Sequence, residues 1–433
     1  MCKRILLSIF LFICLTGIID AKADETPYSI DALMKAAISN RALVDSYETV
    51  VKKGREDLNI LSADKYPSFD AGFKVNQLND DIGSESRENS AWYTRLSYNI
   101  FDGYLNKFET LSKEKQVEAD ALRVKIVKQD IMLMTGIQFL LINRNVAYWN
   151  VTREAVKLYK DKYDEAVLKH KVGLFKKADL LKIKVELDNA EQEERRAKAA
   201  VNKSINDLSH SSGVNLNIND INLCCLDELP ETTAYGIYEK ALLSNRSELH
   251  ILSLLKDAAS YGVSAKRAAF YPRVDASMGL THYEDDYLPL IGDRSIGEFR
   301  LTIEAKINLF DGYKKQAALR KQKHEIKKVD YELAELKSTL LNDLKNEHID
   351  FMVAKENVET AKTGIEQADE NLRVTEFSYK KGLSTATDIL DAIIFQKRAK
   401  FNVIDAKFQV FSNYIRLLRS SELLGSKPVL EKP

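Results

Sequence analysis

The sequence predicts a mainly helical, internally duplicated chain with a small β portion, and three observations carry that expectation. From Gly312 to Lys381 there is no proline and a single interior glycine, Gly364. At ~1.5 Å per residue such a run makes a helix about 100 Å long, too long for one globular core. The unit then occurs twice. Asn308-Leu309-Phe310-Asp311-Gly312-Tyr313 matches Asn99-Ile100-Phe101-Asp102-Gly103-Tyr104 at a spacing of 209 positions (308 − 99), and Val172-Gly173-Leu174 answers Lys381-Gly382-Leu383 at the same spacing. Four segments alternate apolar and polar residues as strands do.

Residues 1–23 have the parts of a secretory signal: Lys3 and Arg4, an apolar run from Ile5 to Ile19, and Ala21-Lys22-Ala23 as a cleavage site. No small residue precedes Cys14, which argues against a lipid anchor, and beyond this region no stretch reaches the apolar length of a membrane helix. Any insertion in a membrane would therefore use strands. The plan divides into a signal peptide (1–23), a first repeat (24–220), a linker (221–236), a second repeat (237–424) and a C-terminal tail (425–433).

Each repeat begins with a helix, Ser29 to Lys65 in the first and Ala241 to Phe270 in the second. Ser39-Asn40-Arg41 and Tyr66-Pro67 correspond to Ser244-Asn245-Arg246 and Tyr271-Pro272 at a spacing of 205 (244 − 39), so about four residues are gained before the next motif, where a hairpin loop is expected. After each Tyr-Pro comes a hairpin. In the first, Phe69, Ala71, Phe73 and Val75 pair with Trp92, Thr94, Leu96, Tyr98 and Ile100. In the second, Val274, Ala276, Met278 and Leu280 pair with Phe299, Leu301, Ile303, Ala305, Ile307 and Leu309, all alternating with polar positions. Such strands suit a tilted transmembrane barrel, and equally a soluble sheet half covered by helices. Four strands cannot close a barrel in lipid, where open edges are not tolerated, so several chains would have to contribute.

The long helix of the second repeat carries Leu344, Phe351, Val358, Ile365, Leu372 and Tyr379 at intervals of seven, with Ala354, Ala361 and Ala368 between them. Ile142, Trp149, Val156 and Tyr163 echo this row in the first repeat. These are packing seams of supercoiled helices. Gly173 and Gly382 end the long helices, as C-terminal glycines commonly do, and shorter helices return from them. The neighbouring Val172, Leu174 and Leu383 either pack across a tight turn or form a contact surface at the extremity.

Composition excludes other classes. Lys+Arg and Asp+Glu balance at 64 each, which gives no reason to expect nucleic-acid binding. The six histidines are scattered, and no metalloprotease, hydrolase or phosphate-loop motif is present, so no catalytic residue, metal site or cofactor is expected. After loss of the signal only the adjacent Cys224 and Cys225 remain, and no disulfide framework is expected.

The duplicated plan, with Val172-Gly173-Leu174 at one tip and Gly382-Leu383 followed by Asp388-Ile389-Leu390-Asp391-Ala392 at the other, resembles the TolC-type outer-membrane efflux channels. The resemblance implies a homotrimer in which a twelve-stranded transmembrane β-barrel, four strands per chain, joins an α-barrel tunnel across the periplasm. It implies a duct for efflux or type I secretion whose partners are a periplasmic adaptor (membrane fusion) protein, an inner-membrane pump and outer-membrane lipid. Drugs, small toxic compounds, metal ions or polypeptides would be the substrates. Val172, Gly173, Leu174, Asp179, Lys381, Gly382 and Leu383 would form the docking tips. Asp388, Asp391 and Tyr379 would form the entrance gate, with crowding expected to raise the aspartate pKa values. One departure is Ser384, where the family often has an arginine that latches neighbouring helices. The competing reading is a secreted or periplasmic coiled-coil spacer or adhesin whose hairpins form a soluble head.

Overall fold

The computed structural model describes residues 27–81, 86–223, 228–287 and 295–426. The signal segment and the Cys224-Cys225 pair lie outside them, as does most of the C-terminal tail. The first repeat runs α1 (Ile30–Asn40), α2 (Ala42–Ala63), β1 (Ser68–Gln77), β2 (Glu88–Phe101), α3 (Leu105–Lys171) and α4 (Lys177–Ser212). The second runs α5 (Tyr235–Asn245), α6 (Ser247–Arg267), β3 (Arg273–Glu284), β4 (Ser295–Lys306), α7 (Lys314–Lys380) and α8 (Ala386–Ser420). α3 and α7 each have 67 residues, which makes each about 100 Å long.

The hexapeptide that opens each long helix has a structural cause. Gly103 and Tyr104, and Gly312 and Tyr313, take consecutive left-handed conformations that turn the chain from strand to helix. Tyr104 and Tyr313 are not glycines, so the strain is offset locally. Each ring meets a phenylalanine edge-on, Phe101 at 5.3 Å and Phe310 at 5.7 Å. Asp102 accepts a hydrogen bond from the Asn106 amide at 2.8 Å, and Asp311 accepts from the Lys314 and Lys315 amides at 3.0 and 3.1 Å, filling the open donors of the first turn.

Each opening helix of the sequence reading is in fact two. The breaks fall at Arg41 and Arg246, which leave helical geometry with ψ of 114° and 111°. The repeated Ser-Asn-Arg motif explains them. The Arg246 guanidinium donates to the carbonyls of Arg419 and Ser420 at 2.6 and 3.1 Å, while Arg41 donates to Ser211 at 3.5 Å and Asn40 to Ser212 at 3.2 Å. In both repeats the motif thus closes the open carbonyl end of the returning helix, where positive charge is favoured.

The four strands form one antiparallel sheet in the order β1-β2-β3-β4. Its register puts Phe69, Leu96, Met278 and Leu301 in one row and Phe73, Trp92 and His282 in another. Since side chains alternate faces, one side of the sheet is a continuous apolar surface, and Phe69, Phe73, Trp92, Leu280, Phe299, Leu301 and Ile303 are all exposed on it. Asp70, Lys74, Arg95, Arg300 and Glu304 occupy the other face.

Two details differ from the sequence reading. β4 stops at Lys306, although the alternation runs on to Leu309. Lys306 pairs with Arg273, the first residue after Pro272, so no partner backbone remains beyond it. The four extra residues of the second repeat also do not enlarge a loop. The connections 78–87 and 285–294 are equal in length, and the additional residues extend β3 and β4 instead.

Below the sheet, α6 lies between α3 and α7, and α2 flanks α3. In the far half α4 packs on α3, and α8 lies between α7 and α3. A knot of buried side chains including Leu33, Phe139, Tyr238, Leu344, Phe351 and Phe411 joins α1, α3, α5, α7 and α8 at the waist. The α7 seam is buried at Leu344, Phe351, Val358, Leu372 and Tyr379, with Ile365 half-buried. In α3 Ile142 is buried as expected, but from Trp149 onward the seam is displaced. Its buried row is Thr152, Ala155, Tyr159, Lys162 and Ala166, and Trp149, Val156 and Tyr163 are only half-buried. α3 packs on α4 and α8 at once, so the line between those neighbours is buried rather than the most apolar line.

Candidate functional site

The tips farthest from the sheet bring the sequence-singled residues together. α3 ends at Lys171, and the Leu174 and Gly173 amides reach back to the carbonyls of Lys169 (2.9 Å) and His170 (3.0 Å). At the second tip the Leu383 and Gly382 amides reach those of Ser378 (2.9 Å) and Tyr379 (3.1 Å). Both are Schellman turns. Gly173 has φ of 76° and Gly382 of 75°, and a Cβ at either would touch nothing. Backbone conformation alone therefore requires glycine.

Such turns are often completed by an apolar contact from the residue after the glycine back onto the helix. Here Leu174 is 79% exposed and Leu383 81%, with Val172 at 68%. Packing across the turn does not account for them, and they project as apolar points from the end of the molecule. Lys381 is exposed beside Leu383, its ammonium 5.7 Å from the Phe377 ring centre.

The returning helices start differently. At α8, Thr385 and Asp388 form a reciprocal capping box, with the Asp388 carboxylate accepting from the Thr385 amide at 2.7 Å and the Thr385 hydroxyl accepting from the Asp388 amide at 3.2 Å. At α4 the cap position is Lys176, with no side-chain hydrogen bond, followed by Lys177. Absence of a capping side chain costs a helix about 1 kcal/mol, and two positive charges there oppose the helix dipole. His170 steadies this tip instead, its Nδ1 lying 2.7 Å from the Phe175 carbonyl oxygen.

Within one chain, the amide and hydroxyl of Thr385 hold the Asp388 carboxyl below the usual aspartate range. Asp388 and Asp391 are both exposed, three residues apart on α8. Asp179 lies in the first turn of α4, 3.9 Å from Lys182. Tyr379 is buried with its hydroxyl unpartnered, and the Lys169 ammonium sits 5.0 Å from its ring centre. Burial, then the charges of Glu165 and Asp179, push its pKa up. Tyr379 and Asp179 thus come close enough to interact, without a hydrogen bond between them.

The sequence reading missed the links between the hairpins α3/α4 and α7/α8. Lys162, its side chain only 5% exposed, meets Glu376 at 2.5 Å. Lys397 meets Glu193 at 2.6 Å and Lys400 meets Glu154 at 2.8 Å. The hydrogen bond from Lys162 holds the Glu376 carboxyl below its ordinary pKa. Lys162 falls in the heptad spacing of the true α3 seam, a signal masked by the more apolar row beside it.

With this geometry in hand, the sequence profile of the outer membrane efflux proteins matches residues 239–421, the second repeat. The second half of the chain therefore resembles that family in sequence. The 209-residue duplication ties the first repeat to the matched one. Solved outer-membrane channels share the whole architecture at low identity. The Campylobacter jejuni CmeC channel is 14% identical over 90% of this chain and 85% of its own, with a TM-score of 0.76. VceC of Vibrio cholerae is 14% identical over 90% and 95%, at 0.75. The Neisseria gonorrhoeae MtrE channel, solved in its open state, is 13% identical over 90% and 88%, also at 0.75. No curated protein sequence matches significantly. The chain has the fold of one protomer of these outer-membrane channels.

Proposed function

We propose that this chain is an outer-membrane efflux protein, resident in the outer membrane with its helices in the periplasm, and the exit duct of a tripartite efflux or type I secretion system. Three chains assemble side by side, and an adaptor docks at the tips to connect the duct to an inner-membrane pump. The observation that carries the reading is the sheet: an exposed apolar face, a polar face, and two edge strands, β1 and β4, each paired on one side only. A neighbouring chain satisfies each edge, and closure places the apolar face in lipid and the polar face around a lumen. A secreted spacer gives no reason for that face to be apolar, so the spacer or adhesin reading is not supported. Catalysis plays no part in this reading.

Fractionation and reconstitution test it. The protein is expected in the outer membrane as a heat-modifiable trimer that conducts in a planar bilayer. A protein washed free as a monomer overturns the proposal. Tip substitutions Gly173→Pro and Leu383→Asp are expected to leave trimer abundance near normal while abolishing efflux and adaptor cross-linking, and loss of the trimer would make those residues structural.

Asp388 and Asp391 support an acidic ring at the tunnel mouth, six carboxylates from three chains. The fold itself accounts for Asp388 through its capping box. It does not account for Asp391, whose repeat equivalent (391 − 209) is Lys182. Cation-selective conductance blocked from the periplasmic side by trivalent cations is expected, with block weakened in Asp391→Asn. Unchanged selectivity and block in that variant would return Asp391 to an ordinary solvated position.

A further inference from the structure

The two tips share one turn and differ in charge. Around the first, Lys171, Lys176 and Lys177 are exposed and make no ion pair or ring contact among the described residues. The carboxylates nearest the tips are otherwise engaged: Glu165 by Lys169, Glu376 by Lys162 and Lys380, Asp179 by Lys182, and Asp388 by its own capping box. The exposed Asp164 and Asp391 stand more than a helical turn back from the turns. The uncommitted charge at the extremity is therefore positive, and it rims the exposed Val172 and Leu174.

Helix stability does not explain this placement. Lys171 suits the C-terminal end of α3, but Lys176 and Lys177 sit at the start of α4, where positive charge is unfavourable. The repeat-equivalent positions are Thr385 and Ala386, which form a capped start. The first tip thus forgoes a cap that the same fold makes elsewhere and carries cations in its place. We infer that the surface received by the first tip is an apolar helical turn rimmed with carboxylates, so that charge at Lys171, Lys176 and Lys177 selects the periplasmic partner. This rests on the docking reading above and gives that partner its chemistry.

Charges at a rim act on encounter and are screened by salt within about 8 Å. The probes are two synthetic helical hairpins with the same apolar turn, one flanked by glutamates and one by lysines, titrated onto the full-length channel in detergent. The glutamate hairpin is expected to bind more tightly, to weaken about tenfold from low to high salt, and to weaken by a similar factor on a channel carrying Lys171→Gln, Lys176→Gln and Lys177→Gln. That channel should assemble normally, since all three side chains are exposed. Equal binding of both hairpins, or undiminished binding to the triple variant, overturns the charge inference and leaves docking intact. Binding of neither, together with unaltered efflux in Leu174→Asp cells, overturns docking as well. Lysine-dependent binding of phosphatidylglycerol vesicles without binding of the glutamate hairpin would assign the surface to a membrane and overturn the proposal.

Discussion

The two ends of this chain both expose apolar residues, and they do so in different ways. At the sheet, the apolar side chains of four strands lie in register on one face, where charge is confined to the loop end at Glu88 and the His282–Glu284 pair, and the remaining charged residues lie on the other. At the tips, Val172, Leu174 and Leu383 stand singly beside lysines. A continuous apolar surface suits a solvent of hydrocarbon, whereas isolated apolar points within a charged rim suit a shaped protein surface. Exposure alone does not distinguish these uses. The spacing of charge does.

The largest effect expected from breaking this contrast is at the sheet. Ile303→Arg places a charge on the apolar face and should cost roughly 2–4 kcal/mol near the membrane midplane, while Thr302→Arg, one residue away on the polar face, should be mild. The yield of heat-modifiable trimer reads both. Equal tolerance would remove the distinction between faces.

Next in size is the link that holds the tip halves together. Lys162→Met removes a buried ammonium from Glu376. Losing one partner of a fully buried pair costs about 3–5 kcal/mol, but Glu376 is partly exposed and keeps Lys380 at 3.5 Å, so about 1–2 kcal/mol is expected. Faster hydrogen exchange in α3 and α7 near the tips, with the sheet unaffected, would report it. The same pair sets a pH dependence. Because the Glu376 pKa is lowered in the folded chain, its stabilisation is full above the ordinary glutamate range and is lost as pH falls through the lowered value. Exchange near the tips should accelerate on acidification in the wild type and should change less in Lys162→Met.

The smallest effects separate one tip from the other. Thr385→Ala should destabilise the start of α8 by about 1 kcal/mol, and Lys176→Ser should stabilise the start of α4 by up to a similar amount. Limited proteolysis at the two turns would show protection moving in opposite directions. If Lys176→Ser left protection unchanged, the cost assigned to that lysine would be wrong.

Much of this architecture was legible because long helices and repeats write their periods into sequence. The helix ends at Gly173 and Gly382, the strand alternation and the two hexapeptide turns required no tertiary information. Reading failed where packing overruled local pattern. Arg41 and Arg246 break helices whose residues are otherwise helix-compatible, because their side chains serve the ends of distant helices. Lys162 is buried on the line between α4 and α8, although a lysine reads as surface.

The sequence by itself determined the duplication, the lengths of α3 and α7, the sidedness of each strand and the glycines at the tips, since each follows from contacts within about one turn or one strand pair. Only the tertiary structure decided which α3 row is buried, which carboxylates are already engaged, and that Leu174 and Leu383 project outward rather than fold back. Those outcomes depend on which helices lie beside one another, and such neighbours are separated by tens to hundreds of residues along the chain.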